Sequence, residues 1–479
     1  MRAHYTGRAA WDGRRSSTGS AGHPPAGSVR RAIMHGVTQP PVKSAFLADL
    51  QRRGLVVDAT SPDELDQHLG DPDGSPRTMY VGFDPTADSL HVGSLLPLLV
   101  LRRAQVAGHR PIVLVGGGTG LIGDPSGKAG ERALNPRDVV TEWADRLKRQ
   151  VRPFLEFDGR QGALLLDNYE WLSKLDLISF LRDVGKHFPV GAMMARESVK
   201  GRMGRDTGIS YTEFSYQILQ AFDFVSLLQS HDCTVQMGGT DQWGNITAGV
   251  DLIRRLTGRS AFGLTTPLVT KTDGTKFGKT ETGTIWLDPA KTSAYEMYQF
   301  WLNTADADVV RFLRYFTFLC PEEIDHAARQ TQVAPDRRDG QHVLAREVTR
   351  LVHGASALAE AEAISAALFS GDVCGLSDAQ LQQAFQGAPT TVLEPPLLLG
   401  VPVVDLLVRV GLAESKRAGR ELISGGGVQI NGRRVEIPTA ILSGNELLHG
   451  RYVVIRKGKK SYHLVTTGPL GRHGRVESP

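Results

Sequence analysis

Two stretches far apart in the chain carry side chains suited to a polyphosphate. The first is Asp84-Pro85-Thr86-Ala87-Asp88-Ser89-Leu90-His91-Val92-Gly93-Ser94, where an apolar segment passes into helical spacing and small polar groups cluster at the helix start. Unpaired backbone N–H groups at such a terminus attract phosphate. His91 either donates to phosphate oxygens or caps the helix, Gly93 leaves room for a base against the first turn, and Pro97 fits because it falls near that turn. The second is 271–283, a polar, glycine-punctuated segment with Lys276 and Lys279 three apart. It reads as a mobile loop whose two ammonium groups meet transient charge, or as an exposed hairpin tip with solvated lysines.

A third stretch invites two motifs and satisfies neither. Gly118, Gly120 and Gly123 match G-x-G-x-x-G after a strand, yet Asp124 and Pro125 interrupt the helix that should receive a pyrophosphate. The acidic residue expected further on falls near Asp138, just after the helix-start signal Asn135-Pro136 rather than at a strand end. Lys128 lacks the glycine six residues before it and the following Ser or Thr of a phosphate-binding loop. A nicotinamide oxidoreductase is therefore the weaker reading.

The elements that must position these groups follow from apolar periodicity. Residues 79–83 read as a buried strand, 84–89 as a turn, 90–107 as a helix and 111–115 as a second strand, which is a βαβ unit. Its right-handed crossover puts the His91 turn at the carboxyl edge of a parallel sheet, where ligands bind. Strand-like runs at 163–166, 234–237 and 264–269 extend the pattern to an α/β, Rossmann-like nucleotide-binding domain over 44–288. On a helix expected over 211–224, Tyr216, Gln220 and Asp223 fall at i, i+4 and i+7 on one face, while Ile218 and Phe222 point elsewhere. Residues 289–385 read as all-helical, with Val309, Phe312, Leu313 and Phe316 on one stripe and no strand signal until after 425. Pro389, Pro395 and Pro396 mark a linker over 386–399.

The formal net charge is +4, unevenly spread. From Val401 to Pro479 thirteen Lys or Arg face six Asp or Glu, so a mildly acidic body carries a basic module over 400–466 and a tail over 467–479. A basic module fits a polyanion, nucleic acid being the usual one. Within it, Ser415 is placed to cap a helix bearing Lys416, Arg417 and Arg420; Asn431-Gly432 turns a hairpin, and Arg456, Lys457, Lys459 and Lys460 extend the basic surface. Cys233, Cys320 and Cys374 are too widely spaced for a disulfide framework or a CxxC zinc site, which fits a reducing, cytoplasmic compartment. No apolar run is long enough for a membrane span. Residues 1–43, rich in Arg, Ser, Gly and Pro with Asp12 the only acid, read as a disordered arm similar to a transit peptide, with Met34 an alternative start.

The pair His91-Val92-Gly93-Ser94 and Lys276-Phe277-Gly278-Lys279-Thr280 resembles the two signatures of class I aminoacyl-tRNA synthetases. Their surroundings, with Tyr80 through Leu90, Gly123-Asp124-Pro125-Ser126-Gly127, Phe214-Ser215-Tyr216 and Gly239-Thr240-Asp241-Gln242-Trp243-Gly244-Asn245, resemble the bacterial-type tyrosyl branch over roughly 45–465. The basic module is similar to an S4-type RNA-binding domain. The resemblance implies ATP-dependent activation of L-tyrosine and its transfer to tRNA(Tyr) by a homodimer, with Mg2+ accompanying the nucleotide. It implies that Tyr80 and Asp223 hold the substrate hydroxyl, and that Asp124, Tyr216 and Gln220 hold its ammonium. Asp84 and Gln242 would line the reacting centre, and Gly239 and Asp241 would face the ribose. Gly93 and Ser94 would lie against the nucleotide, Thr86 and His91 would meet the γ-phosphate, and Lys276, Lys279 and Thr280 would close over the pyrophosphate. Ser94 replaces the usual histidine and Gly191 a common asparagine, so an RNA-binding paralogue with a degenerate nucleotide site is the alternative.

Overall fold

The computed structural model describes residues 42–468 apart from 71–74, 127–133, 204–207, 273–276, 281–282 and 459–460, and the backbone alone of residues 197, 198, 279, 280, 396 and 397. Lys276, Lys459 and Lys460 lie outside the described residues, as do the side chains of Lys279 and Thr280.

Near-continuous apolar runs make strands that are buried on both faces, and here they build a parallel sheet. Its strands are β1 (Thr78–Phe83), β2 (Arg110–Val115), β3 (Leu164–Asp167), β4 (Cys233–Gly239) and β5 (Phe262–Thr266), in the order β3-β2-β1-β4-β5. The chain steps outward from β1 to β3, then returns across β1 to lay β4 and β5 on the other side. The gap between β1 and β4 is thus the topological switch point, where the carboxyl ends open a crevice. Alternation along β1 sends Met79, Val81 and Phe83 to one core and Tyr80 to the other.

On the first face lie α1 (Ala45–Arg53), α2 (Val92–Val106) and α3 (Arg137–Val151). On Tyr80's face lie α4 (Tyr211–His231) and α5 (Trp243–Thr257), whose Ala221, Phe224, Leu228, Ala248 and Leu252 pack against Ile112 and Leu114. Ser210 caps α4 by accepting from the Glu213 N–H, and the helix runs seven residues beyond its expected end.

The helical region comprises α6 (Ala294–Leu302), α7 (Asp306–Phe316), α8 (Pro321–Val333) and α9 (Asp339–Ser370). The expected stripe of Val309, Phe312, Leu313 and Phe316 is buried. It joins the same apolar cluster as β1 and α2, whereas Ile364 near the end of α9 packs in a second cluster with Leu381, Tyr452 and Leu464. At Gly354 (φ 86°, ψ 170°) α9 breaks.

The C-terminal sheet has the order β10-β9-β11-β12-β8, from β8 (Thr390–Val392), β9 (Val428–Ile430), β10 (Arg433–Arg434), β11 (Tyr452–Lys457) and β12 (Ser461–Thr466). β8 corrects the expectation of no strand before 425: it pairs in parallel with Leu464–Thr466. Three residues are too few to reveal a period, and their partner is distant in sequence. Residues 395–398, also within the expected linker, form a short helix. Asn431 (φ 49°) and Gly432 (φ 81°) make the expected two-residue turn between β9 and β10, whose primed geometry needs positive φ at both positions.

Candidate active site

At the switch point a cavity of about 500 Å³ is bounded by the ends of β1 and β4, the loop after β2, and the inner face of α4. Tyr80, Asp84, Thr86, Ser94, Asp124, Tyr216, Gln220, Asp223, Gly239, Asp241 and Gln242 all border it, so the structure gathers most of the expected substrate residues into one crevice.

Asp223 is 2% exposed. Its carboxylate accepts from Asn168 Nδ2 (2.9 Å) and Trp171 Nε1 (2.7 Å). These bonds favour the charged form, but burial outweighs them and pushes the carboxyl up to about 8. Tyr80, 1% exposed, points its hydroxyl into the same space, where it has no hydrogen-bond partner among the described residues. A buried phenol left unmatched beside a buried carboxyl is costly unless a ligand supplies the missing bond.

From Asp223 a polar chain runs through Asn168 to Thr119 Oγ1 (2.9 Å), which donates to Asp84 Oδ1 (2.7 Å), while Tyr216 donates to Asp84 Oδ2 (2.8 Å). Tyr216, expected beside Asp124 and Gln220, therefore also fixes Asp84. A second group is tied by Gln242: its Nε2 donates to Asp124 Oδ2 (2.6 Å), and its Oε1 accepts from Gln220 Nε2 (3.3 Å) and Asn245 Nδ2 (3.1 Å). Asp241 is held above the ordinary carboxylate range by burial and by the charge of Asp124. Two carboxylates with amide acceptors between them suit a cationic group.

His91, exposed and not among the residues that border the cavity, caps α2, its Nδ1 accepting from the Gly93 N–H (2.9 Å). The capping role weighed from sequence is thus present. It also leaves the proton of the neutral ring on Nε2, a donor. Thr86 is exposed and Ser94 half-buried beside it. The lysine segment leans on this helix start: Val92 N–H donates to Ile285 O (2.9 Å), Leu287 N–H to Leu90 O (2.8 Å), and Ile285 N–H to Gly278 O (3.0 Å), with His91 and Trp286 paired as a bridge. Gly278 has φ 77°, and a Cβ there would lie 2.8 Å from Val92 Cγ1. Lys279 and Thr280 pair with Thr284 and Gly283 as the short strands β6 (Lys279–Thr280) and β7 (Gly283–Thr284).

Thr119, Asn168 and Trp171 were missed from sequence. A polar residue directly after an apolar strand was the available signal for Asn168, since that position falls on the sheet's carboxyl edge. In the C-terminal module Ser415 Oγ accepts from the Ala418 N–H (3.2 Å), and Lys416, Arg417 and Arg420 are exposed on the helix Lys416–Ser424. Lys416 pairs with Asp405 and Arg417 with Glu421. Lys457 Nζ donates to Leu412 O (2.8 Å), whereas Arg456 turns to the other face of β11, its guanidinium 5.5 Å from the centre of the Tyr462 ring. Gly191 stands near the start of the short helix Val190–Met194, away from the residues that border the cavity.

Residues 73–370 match the family described as tRNA synthetases class I (W and Y), and 380–465 match the tyrosine–tRNA ligase SYY-like C-terminal domain. The tyrosine–tRNA ligase of Bacillus caldotenax is 55% identical over 422 residues, 88% of this chain and 99% of that protein. That of Desulfitobacterium hafniense (strain DSM 10664 / DCB-2) is 52% identical over 424 residues, again covering 88% and 99%. A C-terminally truncated Aspergillus nidulans mitochondrial tyrosyl-tRNA synthetase, at 32% identity, superposes with a TM-score of 0.62 over 68% of this chain and 94% of that one.

Proposed function

The chain belongs to the class I tRNA synthetase family for tryptophan and tyrosine and joins tyrosine to tRNA at the expense of ATP, and we propose that the switch-point crevice performs both steps. The observation that carries this placement is the unmatched Tyr80 hydroxyl beside the buried Asp223, a fitting end for a substrate phenol.

In our reading the tyrosine hydroxyl lies between Tyr80 and Asp223. Its ammonium is held by Asp124, Tyr216 and Gln220, with Asp84 and Gln242 at the reacting carboxylate. A carboxylate oxygen attacks the α-phosphorus of ATP in line, and the bond to pyrophosphate breaks, giving tyrosyl adenylate. Gly93, Ser94, Gly239 and Asp241 lie along the nucleoside. Thr86 and His91, with Lys276, Lys279 and Thr280, stabilise charge moving onto the departing pyrophosphate. A hydroxyl of the terminal tRNA ribose then attacks the acyl carbon and AMP leaves. No covalent enzyme intermediate is needed.

Lys416, Arg417, Arg420 and Lys457, with Arg456, Lys459 and Lys460, are proposed to meet the phosphates of tRNA(Tyr), which balances three cations at a helix start that the dipole disfavours. ATP is taken to arrive as its Mg2+ complex. Among the described residues no group of three His, Cys, Asp or Glu could hold a metal; the cation would ride on the phosphates and neutralise part of their charge. A cytoplasmic homodimer completes the proposal, and the adjacent Leu177 and Ile178, each more than half exposed, are apolar groups that a second copy would cover. No helix among the described residues is long and apolar enough to cross a membrane.

The test is tyrosine-dependent exchange of labelled pyrophosphate into ATP. Exchange separates this reading from an RNA-binding paralogue, and its absence with folded protein at saturating substrates refutes it. A sharper check concerns Gly116, the residue after β2, where an added Cβ would lie 1.9 Å from Asp84 Oδ1 and 2.5 Å from Thr119 Oγ1. Gly116→Ala must push Asp84 aside. Overpacking of this kind costs about 1–3 kcal/mol, and borne by the displaced Asp84 in the transition state it lowers kcat/KM for tyrosine in exchange by roughly 5- to 150-fold. An unchanged value would remove Asp84 from the site.

A further inference from the structure

We infer that Asp308, at the start of α7, is a positioning residue for adenylate formation, acting through the segment that leads to the lysines. This rests on the function proposed above. Asp308 is 2% exposed and does not border the cavity. Its carboxylate accepts from Thr272 Oγ1 (2.6 Å) and Thr272 N–H (3.1 Å), and pairs with Arg311, which in turn donates to Thr270 O (2.6 Å). An acid in the first turn of a helix ordinarily serves that helix's own amides or dipole. Here, besides Arg311 on its own helix, the carboxylate bonds Thr272 in the chain that follows β5.

Beyond residues 273–276 a second anchor engages the same helix. Phe277 stacks on Phe316 (5.4 Å between ring centres) and meets Phe312 (5.2 Å) and Trp301 (5.7 Å) edge-on or tilted. Thr272 and Phe277, the described residues on either side of 273–276, are therefore both fixed to α7.

The far end of α7 is held by α2, the helix that His91 caps. Arg103, 4% exposed, donates to Thr317 O (2.5 Å). Arg53 donates to Arg314 O (3.2 Å), Thr317 O (3.2 Å) and Leu319 O (2.9 Å), and Asp49 pairs with both arginines. The eleven residues of α7 make a rod about 16 Å long that spans from the His91 helix to the lysine segment. Its seating sets the relative position of the two motifs that face the triphosphate. Asp308 is the buried charge that fastens one end.

The experiment uses the full chain with Asp308→Asn, Asp308→Ala, Thr272→Val and the Asp308→Ala/Thr272→Val pair, and measures single-turnover adenylate formation, tyrosine affinity and the melting midpoint. A hydrogen bond to a charged group is worth enough that Asp308→Ala should slow adenylate formation roughly tenfold or more, with tyrosine Kd within about twofold of wild type. Thr272→Val, half of the same contact and the gentler change, should slow it several-fold, and the pair should be no slower than Asp308→Ala alone. Asp308→Asn should recover part of the rate. Unchanged rates in folded Thr272→Val and Asp308→Asn overturn the inference, as does an equal loss of rate and tyrosine affinity, which marks a general structural role. An active wild type with unaffected variants removes this inference alone. A wild type without exchange removes the functional reading and the inference together.

Discussion

Asp223→Ala is expected to lose most of the preference for tyrosine over phenylalanine. In the proposed site phenylalanine leaves the Tyr80 hydroxyl buried and unmatched and brings Asp223 no hydroxyl beyond its bonds to Asn168 and Trp171, whereas tyrosine supplies one. Removing one partner of a buried hydrogen bond costs about 1–3 kcal/mol, so the ratio of kcat/KM values should fall by roughly 5- to 150-fold, chiefly through loss of tyrosine activity. A ratio that stays put would detach Asp223 from the substrate hydroxyl. Asp223→Asn keeps the shape of the site and supplies a pH control. Burial raises the folded-state value to about 8 from the ordinary 3.8, so the folded protein keeps a proton that the unfolded chain releases. Wild-type stability is therefore penalised increasingly as pH rises between those values. The melting midpoint of Asp223→Asn, without ligand, should gain on wild type from about pH 4 to about 8 and run parallel above it. A gap independent of pH would contradict the buried acid.

His91→Ala is expected to slow adenylate formation far more than it weakens ATP binding. With Nδ1 accepting from the Gly93 N–H, the neutral ring carries its proton on Nε2, the donor proposed to meet the phosphates. A donor aimed at charge that develops in the transition state is typically worth about 100-fold in rate, while KM for ATP should change by less than about threefold. Single-turnover formation of tyrosyl adenylate across ATP concentrations separates the two. His91→Asn retains an acceptor for the cap and a donor, and should recover part of the rate. A raised KM with an undisturbed rate would mean that His91 binds ATP and its transition state alike.

The helix face of Tyr216, Gln220 and Asp223 was legible because helical spacing is a local property, and α4 carries those residues into one crevice. The βαβ unit was legible for a related reason: β1, α2 and β2 are consecutive, and their apolar runs match the lengths of buried elements. Local chemistry also gave the Ser415 cap and the Asn431-Gly432 turn.

What required the fold was every relation between segments distant in sequence. The partners of Asp223 come from Asn168 and Trp171, which follow β3, and they reach it only because strand order places β3 and α4 around one sheet edge. Tyr216 meets Asp84 by the same route. The stripe of α7 shares a core with the parallel sheet, which no periodicity could announce, since a buried stripe does not say what covers it. β8 gains its strand character from pairing with β12, and the break at Gly354 lies inside an otherwise helical run. Sequence by itself determined which groups have the chemistry to meet phosphate and charge, because residue type and local spacing decide that, while their roles toward tyrosine came from the family resemblance. Tertiary structure decided which of them share a space, because burial and hydrogen bonding across the sheet depend on how strands are ordered, and order is a property of the whole chain.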